Sequence, residues 1–103
     1  MPSQPVQIVT LAEALPAFRD EVFSVLSELA ELCRQEEGCL RFDLYCDASN
    51  PNKLNTLELW ESVEAHNRHL NSTHVGRGVL TLIGKVKGLP DIRILQPLNE
   101  LTE

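Results

Sequence analysis

The three histidines of the chain, His66, His69 and His74, fall within nine residues of one another and follow closely after its single tryptophan, Trp60. A histidine titrates near neutral pH and can act as a general base, and an indole can stack on an aromatic ring. Glu58 precedes Trp60 by two residues, so in a strand the two side chains share a face. This pattern indicates proton transfer on an aromatic molecule.

Each of these residues also has a structural interpretation. Trp60 could fill the core or a dimer contact, His69 could bond a backbone carbonyl or Glu58, and His74 could cap or hinge two helical segments. We expect His66 on the solvent-exposed side of its helix. A metal pair on His66 and His69 lacks a third ligand at a suitable spacing, so we predict no metal and no other cofactor.

The charge of the chain disfavours two classes of partner. Fifteen acidic and nine basic residues give a formal net charge of −6, and the basic residues are scattered. Nucleic acid and anionic membranes both attract clustered Lys and Arg, so neither is expected to bind.

The cysteines and the apolar runs indicate a compartment. Cys33, Cys39 and Cys46 match no zinc spacing and lie in apolar runs, which favours reduced thiols. No apolar run approaches the length of a membrane span, and the first residues lack the regions of a signal peptide. We therefore predict a cytoplasmic protein.

Hydrophobic periodicity predicts one α+β domain over residues 1–103, with a loose lead-in over 1–5. Strands are expected over 6–11, 39–46, 54–61 and 91–96, and helices over 16–37, 63–71 and 75–83, with Gly38 ending the first helix. This order predicts a ferredoxin-like βαββαβ sandwich, in which helices cover one face of a four-stranded antiparallel sheet.

The central hairpin raises the question of what covers the other face of that sheet. We place Arg41, Asp43 and Tyr45 on the same face as Glu58 and Trp60. On that face Arg41 and Asp43 are candidate partners of the Glu58 carboxylate, and Tyr45 could donate its phenol to a ligand or close a dimer contact. Because both faces of the hairpin carry large apolar residues, we predict a homodimer in which two sheets pack face to face.

Three strings in this region resemble the antibiotic biosynthesis monooxygenase family. They are Glu36-Glu-Gly-Cys-Leu-Arg-Phe-Asp-Leu-Tyr45, Glu58-Leu-Trp-Glu-Ser-Val-Glu-Ala65 and His69-Leu-Asn-Ser-Thr-His74. The resemblance covers nearly the whole chain and implies a dimeric α+β barrel whose subunits each enclose a pocket between sheet and helices. Characterised members oxidise phenolic or quinol-like aromatics with molecular oxygen, without metal or flavin. Others degrade haem or isomerise small signalling molecules.

The resemblance also implies roles for particular residues. Trp60 matches the pocket tryptophan, Glu58 the acid before it, and His69 and His74 the two histidines of the family. We therefore predict His69, His74 and Trp60 as catalytic residues, and Trp60, Glu58, Tyr45 and Arg41 as substrate-binding residues.

The leading interpretation is a cofactor-independent monooxygenase acting on a small aromatic substrate, a quinol or similar phenol, with O2. The first alternative is a haem-degrading monooxygenase, for which Arg41, Arg68 and Arg77 would be available to bind propionates. A non-oxidative isomerase and a dimeric small-molecule-binding module are the others, because one fold hosts many activities.

Overall fold

The structure, a computed structural model, describes residues 4–98. Its elements are β1 (Val6–Glu13), a short 3-10 helix (Pro16–Phe18), α1 (Arg19–Arg34), β2 (Cys39–Asp47), β3 (Asn50–Trp60), α2 (Val63–Leu70), α3 (Thr73–Leu82) and β4 (Asp91–Leu95). The four strands form one antiparallel sheet in the order β2-β3-β1-β4. The predicted ferredoxin-like α+β fold is thereby confirmed. Residues 1–3 of the expected lead-in lie outside the described residues, and Gln4 and Pro5 have no regular structure.

The first helix is shorter than predicted. After the 3-10 turn that Pro16 opens, α1 ends at Arg34, and the backbone turns over residues 35–38. Gly38 has a φ of +88° and leads directly into β2, so it shapes the turn after the helix and is not the residue that ends it. The carboxylates of Asp20 and Glu21 lie in the first turn and Arg34 lies in the last, which suits the helix dipole at both ends.

The core lies between the helices and one face of the sheet. Buried side chains from the strands, among them Ile8, Phe42 and Trp60, pack against Ala30 and Cys33 of α1. A second cluster, of Ala14, Val22 and Leu54, continues this layer toward the other end of the sheet. The layer therefore consists of two adjoining clusters of apolar residues.

The opposite face, called here the open face, carries apolar side chains without helices above them. Gln7, Val9 and Leu11 of β1 lie on it, opposite Leu59, Leu57 and Asn55 of β3. Leu11 is 40% exposed, and the backbone partner of Gln7 on β4, Leu95, is 46% exposed. This face is the one left over once the helices have covered the sheet.

The pairing of β2 with β3 overturns one prediction. Phe42 lies opposite Glu58, whereas Arg41 and Asp43 lie opposite Leu59 and Leu57. Directly opposed residues share a face, so the placement of Arg41, Asp43 and Tyr45 beside Glu58 and Trp60 was wrong, and these three side chains belong to the open face. Alternation divides each strand into two faces but does not say which faces match across the hairpin.

The two strands differ from the expected hairpin in two further respects. The register shifts between Cys39 and Arg41, so Cys39 pairs with Trp60 and packs on the core while Leu40 is left exposed. β3 begins at Asn50, earlier than the predicted residue 54, after a turn in which Asp47 accepts hydrogen bonds from the backbone and hydroxyl of Ser49. The side chain of Asp47 thus shortens the loop.

The second helical region follows the predicted pattern. The Ser62 hydroxyl caps α2 by accepting a hydrogen bond from the backbone N–H of Ala65, at 3.1 Å. A break at Asn71 and Ser72 separates α2 from α3, which continues through Gly76 and Gly78. Within residues 4–98, no helix is both long enough and apolar enough to cross a bilayer.

Candidate functional site

Two of the sequence strings meet at a contact that only glycine permits. A Cβ atom on Gly38 would lie 2.6 Å from the Cβ of Ala65 in α2, much closer than such atoms approach. The backbone N–H of Glu61 also donates to the carbonyl of Gly38 at 2.8 Å. The start of α2 therefore packs directly on the turn that follows α1, and this contact brings the end of α2 over Glu36.

Glu36 joins two of the predicted catalytic histidines. Its Oε2 lies 2.7 Å from Nδ1 of His69 and 2.8 Å from Nε2 of His74. Burial alone would raise the pKa of Glu36, but the hydrogen bonds from the two histidines outweigh that effect and lower it. A carboxylate has no proton to give, so both ring nitrogens donate to it.

Trp60 is fully buried in the same cluster. Its Nε1 donates to Oε1 of Glu58 at 2.7 Å. Its ring lies against that of His69, with 4.5 Å between centroids and 33° between planes, and Phe42 meets its edge at 6.5 Å. The indole is thus held on several sides by the protein itself.

Glu58 is a buried carboxylate whose partners are hydroxyls and the indole. Its Oε2 accepts hydrogen bonds from Thr56 Oγ1 at 2.6 Å and from Thr10 Oγ1 at 3.3 Å. The predicted ion pairing with Arg41 and Asp43 was wrong, because those two side chains pair with each other on the open face. Three hydrogen bonds meet the requirement that a buried polar group be satisfied.

The side chains of Glu58 and His69 lie near each other without a direct hydrogen bond. Nε2 of His69 lies 3.9 Å from Oε1 of Glu58, longer than a hydrogen bond. Six polar side chains therefore lie next to one another in a row, called here the polar row. In order they are Thr10, Thr56, Glu58, His69, Glu36 and His74.

His66 was expected on the solvent side of α2, and that was wrong. It is 4% exposed, its ring stacks on that of His69 at 5.9 Å between centroids, and it lies 6.1 Å from Trp60. Residues three apart on a helix share a face, so the turn that buries His69 buries His66 as well. Burial lowers the pKa of His66, which favours the neutral ring.

An apolar cavity of about 430 Å³ lies beside the polar row, between the sheet, α1, α3 and the segment after α3. Most of its lining is aliphatic, and the lining includes Leu26, Leu29, Leu44, Leu54, Val79, Leu82, Ile83 and Val86. Thr10 and Thr56 also line it. Those two threonines therefore contact both the cavity and the Glu58 carboxylate, whereas Trp60, His69 and His74 do not line it.

Arg41 and Tyr45, predicted to bind substrate, lie elsewhere. They line a shallow cleft between α1 and the edge strand β2, together with Glu31 and Arg34. Tyr45 is 49% exposed. The structure thus gathers Glu58, Trp60, His69 and His74 and leaves Arg41 and Tyr45 apart from them.

Two residues beside His69 and His74, namely Cys33 and Glu36, were not predicted as site residues from the sequence. One donor atom from each of Cys33, Glu36, His69 and His74 lies within 4.8 Å of the other three. In the sequence, His69 was paired with His66 as a possible metal pair, and only the spacings of the cysteines were compared with zinc patterns. The usable signal was the spacing of His69 and His74 together with that of Cys33 and Glu36, since zinc sites commonly have two to four residues between one ligand pair and three to five between the other.

Comparison with solved structures shows the same fold in proteins of distant sequence. A Pseudomonas aeruginosa protein, PA3566, is 26% identical with a TM-score of 0.86, over 95% of this chain and 98% of that one. An antibiotic biosynthesis monooxygenase is 24% identical with a TM-score of 0.85, over 90% and 98%. Rv0793 from Mycobacterium tuberculosis is 24% identical with a TM-score of 0.85, over 92% and 96%.

Sequence comparison gives the family directly. No curated protein matches the chain. The sequence profile of the family described as "Antibiotic biosynthesis monooxygenase" matches residues 5–79, which include β1, the Gly38–Ala65 contact, Glu58, Trp60 and both histidines of the polar row. The match spans most of the chain and confirms the resemblance found in its motifs: the chain belongs to the antibiotic biosynthesis monooxygenase family.

Proposed function

We propose that the protein is a monooxygenase that oxidises a quinol or a similar phenol with O2, binding the aromatic ring in the apolar cavity. The observation that carries this proposal is the position of Thr10 and Thr56. They are polar groups in a mostly aliphatic cavity wall, and their hydroxyl protons are directed to the buried carboxylate of Glu58. Apolar walls with a few placed polar groups are typical of small-molecule sites.

The hydroxyls offer a route for a proton out of the cavity. A threonine hydroxyl that donates to Glu58 still has lone pairs, so it can accept a hydrogen bond from a phenol. The phenol proton can then pass to the threonine oxygen as the threonine proton passes to Glu58. His69 stands 3.9 Å behind that carboxylate, with its Nδ1 held by Glu36. We assign His69 to the stabilisation of the transferred proton, one step from the substrate.

The reaction balances without another reductant. Loss of the hydroxyl proton leaves a phenolate, which can give one electron to O2, and the resulting radical pair forms a carbon–oxygen bond at the ring. Cleavage of the O–O bond leaves one oxygen atom on the ring and releases the other as water. A quinol and O2 thus yield a hydroxyquinone and water, with all electrons supplied by the substrate. A dry cavity favours this step because it protects the anion and the radicals from water.

We also propose that two copies pack through their open faces and form the dimeric α+β barrel. This assignment moves Arg41 and Tyr45 from the substrate to the dimer contact, since both lie on the open face. An exposed apolar face of this kind commonly marks a protein interface. Sedimentation velocity tests it. Leu57→Asp, on the open face, should give monomers, whereas Val63→Asp, exposed on α2, should stay dimeric. A monomeric wild type would contradict the proposal.

A cytoplasmic location remains part of this proposal. All three cysteines are free thiols, which fits a reducing compartment.

Oxygen uptake with a panel of quinols tests the chemistry. Glu58→Gln should lower kcat/KM by about 10²–10⁴-fold, the range typical for a positioned acid or base. Glu28→Gln makes the same chemical change on the exposed side of α1 and should keep full activity. His69→Ala should lower turnover by less than Glu58→Gln, because it acts through Glu58. Unchanged turnover in Glu58→Gln, or no uptake with any quinol, would count against the proposed route.

A further inference from the structure

We propose that Cys33, Glu36, His69 and His74 form a binding site for a zinc ion. Their donor atoms, one sulfur, one carboxylate oxygen and two imidazole nitrogens, all lie within 4.8 Å of one another. A tetrahedral ion with bonds of about 2.0–2.3 Å holds its donors roughly 3.3–3.8 Å apart, so the wider separations would close by about 1 Å and the shorter ones, from Glu36 to the two histidines, would open by about 0.5 Å. A donor set of sulfur and nitrogen with one carboxylate favours zinc over calcium or magnesium, which prefer oxygen only.

The hydrogen bonds already aim the donors at one place. Nδ1 of His69 and Nε2 of His74 both point to Oε2 of Glu36, at 2.7 and 2.8 Å. A zinc ion would replace the two protons that now lie between these atoms. The ring orientations would need little change, so much of the ordering that metal binding usually requires is already present in the fold.

The charge balance also fits a buried cation. Cys33 is fully buried, and zinc binds a cysteine as its thiolate. Binding would displace the thiol proton, and one thiolate and one carboxylate would then neutralise the two charges of the ion. A neutral complex has a far lower burial cost than an isolated ion.

The environment of His69 offers the outer contact that ligating histidines usually have. Its other nitrogen, Nε2, lies 3.9 Å from Oε1 of the buried Glu58. With zinc on Nδ1, the ring proton moves to Nε2 and points toward that carboxylate, giving the carboxylate–histidine–metal order common in zinc proteins. Glu58 is itself fixed by Trp60 and Thr56, so its position does not depend on the metal.

The site differs in kind from the proposed oxygenation. Four protein ligands leave no open position for a substrate or O2, and zinc has no redox chemistry. The ligands come from the last turn of α1, the turn after it, the end of α2 and the start of α3. The ion would therefore fasten three helices together at the end of the molecule where the polar row lies.

Cobalt(II) is a suitable probe, because it takes the zinc position and absorbs light. Added to the metal-free full chain under reducing conditions, it should give the intense visible bands of a four-coordinate ion and a thiolate-to-cobalt charge-transfer band in the near ultraviolet. One equivalent of zinc should abolish both. An absent spectrum with cobalt in large excess would overturn the proposal.

Matched variants locate the site. Cys33→Ser should remove the charge-transfer band, whereas Cys46→Ser, the same change at an exposed thiol, should retain it. His74→Gln should weaken cobalt binding by at least about 100-fold, the upper end of what loss of an outer contact alone causes. His66→Gln, the adjoining buried histidine outside the donor group, should weaken it far less.

If Cys33→Ser does not fold, the comparison of His74→Gln with His66→Gln still tests the site. His74 keeps about a quarter of its side chain exposed, so its replacement should leave the circular dichroism spectrum unchanged. Equal cobalt affinity in folded His74→Gln and wild type would overturn the site. So would a charge-transfer band that follows Cys46.

Discussion

The layer between the sheet and the helices has two ends that are built differently. At one end Trp60, Phe42 and three histidines fill the space, and the buried polar groups are bonded to one another. At the other end aliphatic side chains of α1, α3 and β3 surround about 430 Å³ of cavity. One end has the titratable groups, and the other has the apolar cavity.

The difference shows how a small protein can hold a carboxylate near an apolar ligand. A carboxylate that faced an apolar cavity directly would be costly to bury. Here Glu58 is set behind Thr10 and Thr56, whose hydroxyls satisfy it while they face the cavity. The threonines belong to both ends: they are members of the polar row, and they also line the cavity.

The packed end should be the less tolerant of truncation. Trp60→Ala removes a fully buried indole and should lower the free energy of unfolding by about 3–5 kcal/mol, as is usual for a buried aromatic residue. Val79→Ala, which truncates a 54% exposed side chain on the rim of the cavity, should cost well under that. Urea unfolding monitored by circular dichroism measures both free energies. Similar losses of stability in the two variants would contradict the predicted difference between the two ends.

The contact between Gly38 and Ala65, which lies behind the packed end, should tolerate substitution almost as poorly. Gly38→Ala would impose a positive φ on alanine and drive its Cβ into Ala65, and overpacking with backbone strain should together cost about 2–5 kcal/mol. Gly88→Ala serves as its control, because Gly88 also has a positive φ but has no atom within 4 Å of the added Cβ. Equal losses in urea unfolding would mean that strain alone, without the α2 contact, explains the effect.

Removal of the Glu58 carboxylate, which lies at the boundary between the two ends, should lower the free energy of unfolding by an intermediate amount. Glu58→Leu leaves the buried N–H of Trp60 and the hydroxyl of Thr56 without their partner, at a cost of about 1–3 kcal/mol in unfolding free energy. Glu58→Gln keeps an acceptor oxygen and should cost less. If the leucine variant were as stable as wild type, the polar row would not contribute to the packing of this end.

The fold and half of the site follow from local patterns in the chain. Helical periodicity from Phe18 to Cys33, alternation in β2 and β3 and the Ser62 cap all act over a few residues, so the sequence shows them directly. Trp60 and Glu58 share a face because they are two apart in a strand, and that was predicted. These features do not depend on what the rest of the chain does.

The missed features depend on contacts between distant residues. Glu36 meets His69 and His74 across more than thirty positions of sequence, through the Gly38–Ala65 contact. The faces of Arg41 and Tyr45 depend on the hairpin register, which alternation leaves open. His66 was placed in solvent because it lies outside the family's motif, although it shares a helix face with the buried His69.

The smallest change in the free energy of unfolding should come from replacing two glycines of α3. Comparing them tests how tightly the cavity end is packed. Gly76→Ala should raise the free energy of unfolding by about 0.5–1 kcal/mol, because alanine has the higher helix propensity and the added Cβ has no atom within 4 Å. At Gly78, which lines the cavity, the same Cβ would lie 3.0 Å from Cδ2 of Leu29 in α1. Leu29 would have to shift, so that gain should be reduced or reversed. Urea unfolding of both variants distinguishes the two positions. Equal stabilisation would show that α1 and α3 yield readily where they border the cavity, and the cavity end would then be looser than its packing suggests.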